Sequence, residues 1–370
     1  MRIMMISGYG YWGNIGPDDL KGDTVQIGGG ETAMFSIARE LAARDNEVLV
    51  FYDTARPGKY DGVDYVPTRL FAECACAIES DVMVSWDNPH VFRFADLAKV
   101  HVMAFQLNDA FIGPFDHAID KYFHPSQWHS EMFHKIYPEM STTKSVVRIT
   151  NGINYERYAQ KVDERIPHRI VYSSSPDRGL HHLLRIWPRI LERVPDAELK
   201  VFYDISKWLS LVESADAAGK ELITTDRAHV IKDLIDAGLQ HVEFVGAVGQ
   251  WRLAREQLRS SLMVYSCDPV RPTEGFSMSI LEGIIAGCKV ITTNADALPE
   301  LWSGAPGVTM LPLPIDDAQW VDAITAKLTE APTTPSTDNV YVNQAMSWKT
   351  VAQRWIQEFN VCLSTYSQPS

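Results

Sequence analysis

Residues 274–300 read EGFSMSILEGIIAGCKVITTNADALPE, and this stretch decides the fold. Two carboxylates, Glu274 and Glu282, stand eight positions apart. Gly275, Phe276 and Ser277 follow the first, and an apolar helical pattern carries the second. Upstream, SSLMVYS (Ser260 to Ser266) is a short apolar run rich in β-formers and predicts a buried strand. The next seven residues, CDPVRPT, contain two prolines and read as loop. Ser277 is placed to cap a helix starting near Met278, with Met278, Leu281 and Ile285 on one face. A second β-rich run, Cys288 to Thr292, follows at once.

Unpaired amides at that helix start, with the helix dipole, favour an anion, and Gly275 permits close backbone approach. Glu282, about one turn into the helix, is placed to accept hydrogen bonds from a ribose diol, and Glu274 from a sugar. Such an arrangement suits a ligand with phosphate in the middle and hydroxyl-bearing groups at both ends, as in a nucleotide-sugar. Taken singly, each glutamate also fits an ordinary solvated position.

Outward from this stretch, strands and helices alternate. Strands are predicted at Arg2 to Ser7, Glu47 to Tyr52, Asp81 to Ser85, Val100 to Phe105, Lys121 to His124 and Val146 to Ile149. The second half repeats the scheme at Arg169 to Ser173, Glu198 to Tyr203, His241 to Val245, Leu262 to Ser266, Lys289 to Thr292 and Val308 to Leu311. Between them lie helical patterns such as Glu31 to Arg44, with Met34, Ile37, Ala38 and Leu41 in a stripe. This is the doubly wound α/β pattern written twice, and the continuously apolar strands fit parallel sheets buried on both faces. The polar segment Asn151 to His168 marks the boundary, which predicts domains over 1–160 and 161–345 and a final helix within 346–370.

The 274–282 segment resembles the E-x7-E motif of the retaining glycosyltransferases of family 4, which have the GT-B fold. Further segments resemble that family in its own order. They are Gly28-Gly29-Gly30-Glu31 with the helix after it, HPSQW (His124 to Trp128), ITNGI (Ile149 to Ile153), IVYSSSPDRGL (Ile170 to Leu180), VEFVGAV (Val242 to Val248) and Met346-Ser347-Trp348. The set covers most of the chain. The resemblance implies two Rossmann-like domains facing a cleft, with the C-terminal helix crossing back to the first domain. It places the nucleotide-sugar donor mainly on the second domain and the acceptor on the first, with cleft closure excluding water.

By the same resemblance, Arg178 stands where a basic residue, usually lysine, contacts the donor diphosphate, and arginine's fork suits phosphate oxygens. A second basic residue usual in the family is replaced here by Ser173 and Ser174. Ser174 and Ser175 are then the local hydrogen-bond donors, and Arg271 is the candidate for the missing charge. Gly29 and Gly30 offer bare backbone to the diphosphate or sugar. The long loop before them, Gly8 to Ile27, carries Tyr9, Tyr11 and Trp12, and loops of this length are often lids. Asp109 and His90, each just after a first-half strand, are the acceptor-side polar candidates. Glu274 joins them in the catalytic set. The family's internal-return mechanism needs no strong protein base, because the leaving diphosphate takes the acceptor proton.

No Asp-x-Asp occurs, and neither His124, His129 and His134 nor His181 and His182 has metal-ligand spacing, so metal-independent transfer without a cofactor is expected. The chain of 370 residues is 46% hydrophobic and 22% charged, ordinary globular composition. Its net charge of −13 opposes tight non-specific binding to nucleic acid or anionic lipid. Five cysteines without a CxxC pair suggest a reduced, cytoplasmic setting, and no apolar run is long enough to span a membrane. MRIMMISGYG reads as a first strand rather than a secretion signal.

The function expected from the resemblance is transfer of a sugar from a nucleotide diphosphate sugar, UDP-sugar favoured, to an acceptor hydroxyl. The acceptor class (glycan, lipid, small molecule or modified nucleic acid) and the oligomeric state are left open by the sequence. Alternatives are a nucleotide-sugar 2-epimerase, a non-catalytic sugar-nucleotide binder, and, as a special case of transfer, glycosylation of modified DNA bases.

Overall fold

The structure, a computed structural model, describes residues 1–7, 15–54, 56–106, 113–138, 145–220, 222, 224–330 and 346–366. Two compact units emerge: one formed by residues 1–21, 27–154 and the C-terminal helix Trp348–Tyr366, the other by residues 22–26 and 155–343. The break at Asn154/Tyr155 falls before the expected 160. The reason is packing: Arg157 and Tyr158 are already buried in the second unit, bonded to Gln250 and Gln257.

The first unit holds an eight-stranded sheet made of β1 (Arg2–Ser7), β2 (Glu47–Phe51), β3 (Gly58–Tyr60), β4 (Val63–Val66), β5 (Ser80–Trp86), β6 (Ala98–Ala104), β7 (Lys121–His124) and β8 (Ser145–Arg148). Its order is β3-β4-β2-β1-β5-β6-β7-β8, with only the β3–β4 pair antiparallel. That hairpin is missing from the strands read off the sequence. Its turn is Asp61-Gly62, both at positive φ (49° and 85°), the arrangement an Asp-Gly hairpin turn requires. β1 lies at the centre, and Ile3 to Ile6 are fully buried. The helix Gly29–Ala42 buries the expected stripe of Met34, Ile37, Ala38 and Leu41.

The helix Trp348–Tyr366 belongs to this same unit. Ile153 donates its amide to Met346 at 2.7 Å, and Ile153 bridges Ser347. A Cβ on Gly152 would lie 2.7 Å from the Trp348 ring, so the Asn-Gly of the resemblance motif is a seat for this tryptophan. Lys121, buried on β7, is paired with Glu358 of the helix.

The second unit's sheet is entirely parallel: β9 (Ile166–Tyr172), β10 (Glu198–Val201), β11 (Val242–Phe244), β12 (Ser260–Tyr265), β13 (Lys289–Thr293) and β14 (Val308–Leu311), in the order β11-β10-β9-β12-β13-β14. Strand order reverses direction between β9 and β12, and between β1 and β5 in the first unit. In open α/β sheets, ligands bind at the carboxyl ends of strands flanking such a switch. No helix among the described residues is long and apolar enough to cross a membrane.

His124 and His129, five apart in sequence and not on one helix face, meet because the first ends β7 and the second lies in the helix Gln127–Ile136. Their Nδ1 atoms are 2.7 Å apart, both rings are fully buried, and Phe105 packs against both. Burial first, then the neighbouring His129 and His134, holds His124 well below the usual histidine range. The unfolded chain therefore takes a proton near pH 6.5 that the folded chain refuses. This stabilisation is complete above pH 6.5 and is lost as pH falls, by at most about 1.4 kcal/mol per pH unit. A denaturation series from pH 7 to 5 should show a shallower fall for His124→Gln than for the wild type; parallel curves would refute the assignment.

Candidate active site

The second unit's candidate site is built where β9 and β12 end side by side. After β9 the chain makes a tight turn, Pro176–Arg178, then Gly179 at φ +108°, then the helix Leu180–Arg193. Gly179 is obligatory here, because a Cβ would sit 1.7 Å from the Ser266 carbonyl oxygen, and the Ser266 hydroxyl donates to the Gly179 carbonyl at 2.7 Å. That close approach seats the turn after β9 on the loop after β12.

The two glutamates of the opening stretch are both buried, 8% and 5% exposed. Glu274 accepts through one carboxylate oxygen from Arg178 Nη1 (3.0 Å) and from the Tyr265 hydroxyl at the end of β12. The Ser277 amide also points to this carboxylate, so it is engaged within the protein rather than held open for an anion. Burial raises the Glu274 pKa, Arg178 and Tyr265 oppose the rise, and Asp296 adds to it. Asp296 is also the clamp of this loop, its Oδ2 accepting the amides of Thr273 (2.9 Å) and Glu274 (3.0 Å). For Arg178, burial works against the charge, and the carboxylates of Glu274 and Asp177 outweigh it, so its pKa moves up. The Arg178 side chain remains a quarter exposed.

Ser277 caps the helix Met278–Ile285, its Oγ accepting from the Ile280 amide at 3.4 Å, as the sequence predicts. It does so at φ +70°, a conformation that a non-glycine residue holds only under constraint. Phe276 places its ring in the core against Trp302, whose indole nitrogen donates to the Phe276 carbonyl at 3.0 Å. Only the backbone at this position is left for a ligand. Gly275 is buried beside it. Glu282 sits inside the helix, its Oε2 accepting from Gln257 Nε2 at 3.4 Å. Burial raises its pKa, while Arg157 and Gln257 hold it down.

Ser174 is half-buried beside the turn. The Ser175 hydroxyl is spent on Asp177, and its carbonyl accepts from Tyr172 at 2.8 Å. Arg271 lies exposed on the loop after β12. A different cation, which sequence reading missed, fastens this region: Arg227, from the helix Thr225–Asp236, donates to the Asp177 carbonyl at 2.7 Å and to Asp268. His181, His182 and Asp268 bring three ligand-type atoms within 4.8 Å of one another, a grouping that spacing alone did not reveal. Two of the three residues are already engaged: His182 Nε2 meets Asp268 Oδ2 at 2.8 Å, Arg185 donates to His182 Nδ1 (3.0 Å) and Arg227 to Asp268 Oδ2 (3.2 Å). Two cations at that point disfavour a third.

The first unit's candidates lie around its own switch between β1 and β5. Gly29 and Gly30 open the helix Gly29–Ala42, and a Cβ on Gly30 would meet nothing within 4 Å. Packing does not demand this glycine. His90 is exposed after β5, its ring edge-on to Phe115 at 5.7 Å. Asp109 and the aromatic residues Tyr9, Tyr11 and Trp12 lie outside the described residues, as does the Pro/Thr-rich segment near 331–339.

Residues 167–330, most of the second unit, match the family model described as Glycosyl transferases group 1. That stretch of the second unit is similar to group 1 glycosyltransferase domains. No curated protein matches the sequence. Solved structures similar to the whole chain include trehalose-6-phosphate synthase OtsA (TM-score 0.69, 11% identity, covering 97% of this chain and 99% of that one). Sucrose-phosphate synthase from Thermosynechococcus elongatus aligns with TM-score 0.64 and 13% identity over 98% and 99% of the two chains. Anabaena HepE, solved in complex with UDP and glucose, aligns with TM-score 0.65 and 14% identity over 98% and 100%. At these identities the likeness establishes the fold, which is GT-B. A group 1 glycosyltransferase domain within that fold makes the chain a GT-B glycosyltransferase, a transferase of sugar groups.

The two glycines separate packing from ligand approach. Gly179→Ala should cost roughly 3 kcal/mol or prevent folding of the second unit, whereas Gly30→Ala should hold or raise stability, by up to about 1 kcal/mol. Chemical denaturation of both variants checks this, and a well-tolerated Gly179→Ala would contradict the close approach to Ser266.

Proposed function

We propose that this glycosyltransferase moves a sugar, with retention, from a nucleoside diphosphate sugar to an acceptor hydroxyl, without a metal ion. The observation that carries the reading is the contact of Arg178 with buried Glu274 at the carboxyl ends of β9 and β12. An arginine with a partly exposed side chain at a switch point is suited to hold phosphate. When a diphosphate takes Arg178, Glu274 loses one partner, and its Oε2, still held by the Tyr265 hydroxyl, gains an open acceptor position for a sugar hydroxyl. Retention and metal independence rest on the resemblance to family 4 and on the lack of an Asp-x-Asp in the chain. UDP is the favoured nucleotide, in keeping with the UDP and glucose bound by the Anabaena neighbour.

In the proposed reaction the bond from the anomeric carbon to the diphosphate oxygen breaks, and the acceptor oxygen bonds to that carbon on the same face. The acceptor proton passes to the departing diphosphate. Arg178 stabilises the negative charge that develops there, Glu274 and the backbone of Gly275 and Phe276 orient the sugar, and Glu282 holds the ribose. Ser174 and Ser175 line the phosphate turn. Gly29 and Gly30 admit the ligand to the first unit's backbone, and His90 and Asp109 serve the acceptor.

Calorimetry with UDP and a UDP-sugar separates the two glutamates. Glu282→Ala should weaken both ligands about tenfold or more, whereas Glu274→Ala should weaken only the sugar-bearing one and depress turnover. Equal affinity and turnover in wild type and both variants would remove the assignment. In Gly30→Ala, transfer should fall although stability does not.

A further inference from the structure

Gln257, in the helix Gln250–Leu258, is fully buried and linked to groups from three other segments. Its side-chain oxygen accepts from the Tyr158 hydroxyl at 3.0 Å. Its side-chain nitrogen donates to Ser173 Oγ at 3.3 Å and to Glu282 Oε2 at 3.4 Å. A primary amide has one acceptor atom and one donor atom, so these contacts fix its orientation. The reverse orientation would set the amide oxygen against a carboxylate oxygen. Its backbone is held as well, with the Cys288 thiol donating to the Gln257 carbonyl at 3.2 Å.

The next layer comes from the first turn of the second unit, Tyr155–Tyr158. Arg157, 2% exposed, donates through Nη1 to Gln250, its Nε has no partner, and its charge favours the ionised form of Glu282. Tyr158 is its neighbour in the chain. A hydroxyl, an amide and a carboxylate thus form one buried line, Tyr158 to Gln257 to Glu282, with a cation beside it. Ser173, where the resembling family usually carries a second cation nearby, is absorbed into the same network.

We propose that Gln257, locked by Tyr158, is a positioning residue that holds Glu282 Oε2 and so aims Oε1 at the vicinal diol of the donor ribose. The inference rests on the reading of Glu282 as the ribose ligand. Its consequence is a preference for ribonucleotides over 2′-deoxyribonucleotides that depends on a hydroxyl and an amide which never touch the ligand.

The test measures affinities of UDP, GDP and ADP, each beside its 2′-deoxy counterpart, by calorimetry on wild type, Glu282→Gln, Gln257→Leu and Tyr158→Phe. Wild type should prefer the ribo form of the nucleotide it binds by about tenfold, the size of one good hydrogen bond to a charged group, and Glu282→Gln should lose that preference. Gln257→Leu and Tyr158→Phe should lower the ratio at least about threefold while leaving deoxy affinity nearly unchanged. If Glu282→Gln loses the preference but both other variants keep it, or weaken ribo and deoxy forms equally, the positioning role is wrong and the ribose reading stands. If Glu282→Gln keeps the preference, or wild type binds none of the six, the ribose reading fails and the positioning role with it. Tyr158→Phe removes a single oxygen atom and decides the matter should Gln257→Leu fail to fold.

Discussion

A carboxylate buried beside a guanidinium governs the second unit's site. Glu274 is one-tenth exposed at its side chain, and without compensation an ion at that depth costs several kcal/mol. Arg178, Tyr265 and the Ser277 amide supply the compensation, the last two from nearby in the chain and Arg178 from far away. Arg178 lies ninety-six residues away in sequence and reaches Glu274 only because β9 and β12 are parallel neighbours and Gly179 has no side chain. Asp296, clamping the amides of Thr273 and Glu274, then holds the loop so that the carboxylate cannot swing away. Sheet order, a missing Cβ and one clamp convert two distant loops into a single polar surface.

That surface was legible in part. The helix Met278–Ile285, its Ser277 cap and its flanking strands could be read because local periodicity and capping chemistry act over a few residues. Glu274, Glu282 and Arg178 stood out through their spacing and setting, and all three lie in the second unit. Gln257, Arg157, Tyr158, Asp296 and Arg227 did not, since each acts through a contact made only by tertiary folding. A glutamine inside an amphipathic helix carries no local sign that its amide will be fully buried. Asp61-Gly62 is a different kind of miss, because the hairpin signal was present in the sequence and the three- and four-residue strands beside it were too short to register. The histidines His124 and His129 show the limit of spacing rules, which assume one element where the fold uses two.

The first unit presents the sparser surface. At its switch point stand two glycines with open space beside Gly30, and an exposed histidine, with no buried carboxylate comparable to Glu274 among the described candidates there. Glu282 is supported from inside the second unit, its line through Gln257 and Tyr158 ending in that unit's first turn.

The most direct measurement is a crystal structure of the protein with a bound nucleoside diphosphate, UDP first. The expected density shows the diphosphate on the Arg178 guanidinium near the start of the helix Leu180–Arg193, the ribose diol on Glu282, and the Arg178–Glu274 contact opened. A nucleotide bound elsewhere, or bound with Arg178 still paired to Glu274 and no ribose contact to Glu282, would contradict it.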